Sequence, residues 1–103
     1  FYKKNIKNNK IDTIKYSTNA VYHQYVILVK NRKRLIKHLE NNFIQYGIHY
    51  PNPINKLKCF NKFFKNKKFI NSEDIASKCL SIPIDPILKK SEINKITKVL
   101  NSF

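Results

Sequence analysis

The sequence predicts an α+β domain, with three or four helices packed on a small mixed or antiparallel sheet. Three observations carry that expectation. Ala20–Lys30, AVYHQYVILVK, is rich in β-branched and aromatic residues, with Val26–Val29 continuously apolar. That is the pattern of a central strand buried on both faces. Two later segments, 32–42 and 91–103, repeat apolar residues at helical spacing. Strand-like and helix-like stretches alternate, and there is no internal repeat. At 103 residues the chain fits one domain, with a core that has little to spare.

The elements follow in order. Phe1–Ile6 reads as the end of a helix, and residues 7–19 as a loop with a short strand around Ile11–Tyr16. Asn31 is placed to cap the helix that follows the central strand. Its stripe is Leu35, Ile36, Leu39 and Phe43, which leaves Arg32, Lys33, Arg34, Lys37, His38 and Glu40 in solvent. Ile44–Tyr50 is expected to be a second strand. Residues 51–71 are loop-like, with a short helix near Leu57–Phe64. Ser72 is expected to cap a short helix through Leu80, with Glu73 and Asp74 in its first turn. Its apolar side would be Ile75, Ala76, Cys79 and Leu80. Ser81–Pro86 is extended, and its prolines bar it from the middle of a sheet. Ser91 and Glu92 open the last helix, with Ile93, Ile96, Val99, Leu100 and Phe103 on one stripe.

The net charge is +15. One reading is a protein that binds nucleic acid or an anionic surface. FNKFFKNKKF, residues 60–69, would serve it by stacking bases and neutralising phosphates, or would pack Phe60, Phe63 and Phe64 inward as a lid. The other reading is compositional. The chain has 19 Lys, 14 Asn and 15 Ile but 2 Arg and 1 Gly, the bias of A/T-rich codons. Phosphate and base recognition leans on arginine, and two are few. Cys59 and Cys79 form no CxxC pair, so a zinc ribbon is not supported. Two buried, reduced thiols are expected, and the sequence does not say whether they are neighbours. No apolar run reaches the roughly 18 residues of a membrane span, and no signal peptide is visible. A cytoplasmic protein is expected. A chain that begins at Phe1 reads as an excerpt of a longer one.

No self-contained catalytic constellation stands out, so no catalytic residue is assigned. There is no glycine-rich phosphate loop, and the six acids are scattered. His23, His38 and His49 have no metal-ligand spacing. One segment is unusual. Tyr46–Asn55, YGIHYPNPIN, holds the only glycine, two of the four prolines and His49. Pro51 and Pro53 fix φ and push Tyr50 and Asn52 towards extended backbone. A stiff segment of this kind can aim polar groups at a ligand; it can equally cover a core.

HQYVILVKNRKRLIKHLENNFIQYGIHYPNPI, residues 23–54, resembles the C-terminal domain of the DegT/DnrJ/EryC1/StrS family of pyridoxal-phosphate-dependent sugar aminotransferases. The matching anchors are His23-Gln24-Tyr25, Asn31-Arg32, Leu35, Leu39, Ile44 and Gly47-Ile48-His49-Tyr50-Pro51-Asn52-Pro53. Downstream, the segment from Ser72 through Leu80-Ser81-Ile82-Pro83 and the Ser91-Glu92 helix resemble the family's closing elements. The likeness spans about residues 20–103.

The resemblance implies a small domain over 20–103, with 1–19 connecting it to a missing large domain. That large domain would carry the Schiff-base lysine and most contacts to pyridoxal 5'-phosphate. The whole enzyme would pass an amino group from an amino acid to a nucleotide-linked keto-sugar, as a homodimer, and this chain alone would be inactive. His49 and Tyr50 would face the nucleotide sugar. Asn55 stands where the family often has histidine; it can hydrogen-bond to substrate but cannot carry charge. His23 and Tyr25 would be structural supports. Two alternatives stay open from residues alone: a small basic nucleic-acid-binding module, and a structural or regulatory remnant of the domain.

Overall fold

The strand around Val26 organises the molecule. The computed structural model describes every residue except Tyr16, Thr18 and Asn66, and only the backbone of Asn61. The segments in order are α1 (Tyr2–Asn5), β1 (Ile11–Thr13), β2 (Tyr25–Val29), α2 (Arg32–Asn41), α3 (Asn61–Phe64), α4 (Ile70–Lys78), β3 (Cys79–Ile82) and α5 (Lys90–Asn101). The 3₁₀ turns Ile54–Lys56 and Lys58–Phe60 precede α3. The sheet has the order β1-β2-β3 and is antiparallel throughout, with Ile11 opposite Val29, Ile27 opposite Leu80 and Tyr25 opposite Ile82. The α+β expectation therefore holds, and the sheet is of the antiparallel kind.

Opposed residues share a face, so this register puts Ile11, Tyr25, Ile27, Val29, Leu80 and Ile82 on one side. All six are buried in one cluster with Leu35 and Leu39 of α2 and Ile96, Val99 and Leu100 of α5. The alternate residues Val26 and Leu28 are only half-buried. β2 is central as expected, but it begins at Tyr25 rather than Ala20, and its second face is not sealed. That second face is where α4 packs and where a cavity opens.

Capping sets the helix limits. The Asn31 side chain accepts the Arg34 N–H at 3.2 Å, as the sequence predicts. At the other end of α2 the Phe43 N–H bonds the Glu40 carbonyl and the Ile44 N–H bonds that of Leu39. That is a Schellman closure, which needs a left-handed residue at its turn. Phe43 supplies it, with φ 57°, and its side chain is 91% exposed. Phe43 is thus not part of the apolar stripe; the chain has left the helix there. Glu92 accepts the Lys89 N–H at 2.7 Å and starts α5. Ser72 does not cap α4, which begins two residues earlier and ends before Cys79 and Leu80, both of which are strand. The half-exposed Ile75 is not core either.

Two residues expected in solvent are structural. Arg32 Nη1 donates to the carbonyls of Ala76 at 2.6 Å and Cys79 at 3.1 Å, tying the start of α2 to the end of α4. His38 is half-buried and its Nε2 bonds the Val99 carbonyl at 2.9 Å. The first thirteen residues share the core of the rest. Asn8 donates to the Leu100 carbonyl and Asn101 to that of Asn5. Tyr2 is buried, and its hydroxyl donates to the Pro83 carbonyl at 2.8 Å. The expected strand beyond Thr13 reaches Tyr16, which lies outside the described residues.

Two predictions follow from this packing. Phe43→Gly removes a strained left-handed side chain that buries nothing, and should raise stability by roughly 0.5–1 kcal/mol in denaturant titration. Burial, with a smaller contribution from Tyr25, pushes the Tyr2 phenol up from 10.0 to about 12. A raised folded value means that Tyr2 contributes its stability in full below the unfolded value. The contribution is lost as pH rises through about 12. Tyr2→Phe should cost about 1 kcal/mol at neutral pH, and that gap should shrink in the alkaline window.

Candidate functional site

Among the described residues, the outer edge of β3 is bridged by one alone, Gly47. Gly47 N–H bonds the Ser81 carbonyl at 2.9 Å, and Ser81 N–H bonds the Gly47 carbonyl at 2.8 Å. The expected strand Ile44–Tyr50 is therefore reduced to one bridge. The Schellman turn occupies the chain before it, and the Pro51 and Pro53 segment, unable to donate backbone hydrogen bonds at the prolines, follows.

Gly47 is needed for its missing side chain rather than for its backbone angles, since no glycine here has positive φ. A Cβ on Gly47 would stand 2.6 Å from His49 Cε1, 3.2 Å from Nε2 and 3.3 Å from Nδ1. The imidazole folds back over the glycine. The ring lines a cavity of about 470 Å³ between the second face of β2 and β3, α4 and the 47–54 segment. Val26, Ile54, Ile75 and Ala76 give the cavity an apolar body, and Gln24, His49, Tyr50 and Ser81 bring polar groups to it. A second, more polar depression of about 300 Å³ shares Gln24, Gly47, His49 and Ser81 with the first, and is closed by His23 and Tyr46. His49 thus stands between two concavities. Apolar clefts with a few convergent polar groups are the usual form of small-molecule sites.

The structure brings His49 and Tyr50 together at this cavity, both exposed, Tyr50 at 76%. Asn55 lies behind the cavity wall instead. It is 7% exposed, and its amide donates to Glu73 Oε1 at 2.9 Å. Glu73 also accepts the Phe69 N–H at 3.2 Å and pairs with Lys56 at 3.6 Å. The Phe69 and Asn55 hydrogen bonds, helped by the Lys56 charge, hold its carboxyl below the usual value. Tyr25 is a buried support as expected, but His23 is exposed and faces the polar depression. Sequence reasoning missed Gln24, Ile75, Cys79 and Ser81 as wall residues. The strand alternation that places Tyr25 in the core puts Gln24 and Val26 on the opposite face, so Gln24 and Val26 were within its reach.

Among the described residues, no lysine or acidic residue lines the cavity. The chain therefore offers there neither an amine for a Schiff base nor an acid to pair with a pyridine nitrogen, and a pyridoxal cofactor would need another source for both. Among the described residues there is no group of metal-ligating side chains. No described helix is long and apolar enough to cross a membrane. The expectation of buried thiols fails: both cysteines are free, Cys59 is exposed and Cys79 is half-buried. The inward lid forms only in part. Phe64 stacks edge-on against Phe69 at 5.4 Å and lies 6.4 Å from Phe60, while Phe63 is 70% exposed.

The DegT/DnrJ/EryC1/StrS aminotransferase family model matches residues 1–101, and the chain belongs to that family. It is 31% identical, over its whole length, to a dTDP-3-amino-3,6-dideoxy-alpha-D-galactopyranose transaminase from Aneurinibacillus thermoaerophilus, covering 29% of that protein. It is 27% identical over 82% of its length to the Saccharopolyspora erythraea erythromycin biosynthesis sensory transduction protein EryC1, covering 23% of it. Among solved structures, S. venezuelae DesV in complex with a ketimine intermediate superposes with a TM-score of 0.84 at 19% identity, covering 98% of this chain and 28% of that one. A Bacillus subtilis protein with bound PMP gives 0.76 at 21% identity, over 89% of this chain and 22% of that one. The chain thus spans under a third of each relative's length. Membership in this family does not favour the nucleic-acid reading of the charge.

Gly47→Ala tests the local geometry. The added methyl leaves the Ser81 bridge possible but displaces the His49 ring. The His49 ring proton resonances should move while the thermal midpoint falls by only a few degrees, about 1 kcal/mol.

Proposed function

We propose that this chain is the C-terminal domain of a pyridoxal-phosphate-dependent aminotransferase that acts on a nucleotide-linked keto-sugar. In this reading residues 1–19 lead from a large domain into the small one, with their first part already packed in its core. The large domain carries the cofactor lysine and the acid that the cavity here lacks. The reaction moves an amino group from an amino acid to the sugar, and the chain alone does not catalyse it. The enzyme is a cytoplasmic homodimer.

One observation carries the reading. Family membership coincides with a largely apolar cavity that His49 and Tyr50 both line. His49 and Tyr50 hydrogen-bond the nucleotide sugar and hold it in place. Neither abstracts a proton. Asn55 takes part in the same site from behind the wall, where its amide is already bonded to Glu73. The sugar transaminase activity in the name of the Aneurinibacillus relative supports the substrate class.

His49→Ala in the full-length enzyme should raise KM for the nucleotide sugar about tenfold, about 1.4 kcal/mol of binding. The KM for the amino donor should not change. Steady-state kinetics with both substrates checks this, and an unchanged sugar KM reduces His49 to a packing residue.

A further inference from the structure

The cavity has two walls that are far apart in sequence. One is the 47–54 segment with His49 and Tyr50, and the other is α4 with Ser72, Ile75 and Ala76. Among the described residues, one side chain hydrogen-bonds across them. Glu73 follows Ser72 on α4, and its Oε1 accepts from Asn55, the neighbour of Ile54 on the opposite wall, at 2.9 Å. The same oxygen accepts the Phe69 N–H at 3.2 Å, and Oε2 lies 3.6 Å from Lys56 Nζ. So both ends of the 55–69 excursion, and the start of α4, converge on one carboxylate. The Asn55 side chain is buried, so loss of its partner leaves a polar group without water or protein to bond. At its far end α4 is held by Arg32 through the carbonyls of Ala76 and Cys79. α4 is thus tied at one end to α2 through Arg32, and at the other to the opposite wall through the contacts of Glu73 with Asn55 and Lys56.

We propose that Glu73 is a positioning residue of the sugar-nucleotide site. It sets the spacing between α4 and the segment that presents His49 and Tyr50, and touches no substrate itself. The proposal rests on the reading of the cavity given under Proposed function. A carboxylate suits the task because it accepts several N–H groups at once; an uncharged amide at the same position keeps one acceptor oxygen and so part of the clamp.

The test compares Glu73→Ala and Glu73→Gln with wild type in the full-length enzyme, by kinetics and by amide hydrogen exchange. Glu73→Ala should raise KM for the nucleotide sugar at least about tenfold, leave the amino-donor KM unchanged and keep kcat within about threefold. Exchange across residues 50–56 should speed up while the β2 and β3 amides keep their protection. Glu73→Gln should bring KM back to within about threefold of wild type. Faster exchange with an unchanged sugar KM overturns the positioning role, as does a parallel loss of kcat, both KM values and strand protection, which marks plain destabilisation. If His49→Ala also leaves the sugar KM unchanged, the reading of the cavity itself fails; a raised KM in His49→Ala beside an unaffected Glu73→Ala overturns the clamp alone.

Discussion

The pair of backbone hydrogen bonds between Gly47 and Ser81 is the constraint on which the site depends. β3 is bonded on one edge to β2, and Ser81 is the one described residue of it that also bonds on the other edge. That contact sets where the chain stands when it enters the proline-stiffened segment. It also decides that His49, two residues on, lies over a position with no side chain. A strand of full length there would have put alternate residues of 44–50 on opposite faces. A single bridge instead frees the chain to turn, and the turn is what brings His49 and Tyr50 to the same cavity.

The second face of the sheet has a related logic. The first face is saturated by α2 and α5, with Ile27, Leu35, Leu39, Leu80 and Leu100 almost fully buried. α4 covers the second only in part, because Arg32 draws its C-terminal end to the start of α2 and β3 follows at once. The uncovered part is the cavity. Its walls are largely apolar, and among the described residues no lysine or carboxylate lines it.

Much of this was legible in the residues. β2, α2 with its Asn31 cap, α5 with its stripe and the unusual character of 46–55 all follow from local periodicity and capping chemistry. What was not legible depends on contacts distant in sequence. Cys79 and Leu80 fit the end of a helical stripe, yet pairing with Leu28 and Ile27 makes them strand. Phe43 is a local miss: it extends the α2 stripe on paper, but the helix ends at Asn41 and the Schellman turn carries Phe43 out of it. Glu73 looks like a first-turn acid and is one, but its service is to Asn55, eighteen positions away. His38 sits among charged residues in sequence, and only the packing of α5 gives it a carbonyl to bond. The family resemblance supplied what local rules could not, namely which of several polar residues near the prolines to watch.

Arg32 has a consequence for how this sequence can drift. Cations in the chain are almost all lysine, and most exposed positions would accept either type. At Arg32 one guanidinium nitrogen, Nη1, donates to two carbonyls, one near the end of α4 and one at the start of β3, from a side chain that reaches one atom further than lysine's. Compositional pressure towards lysine therefore meets a stereochemical barrier at this position. Exposed lysines such as Lys62, Lys65, Lys67 and Lys68 carry no comparable contact among the described residues, so the same pressure acts on them without touching the fold.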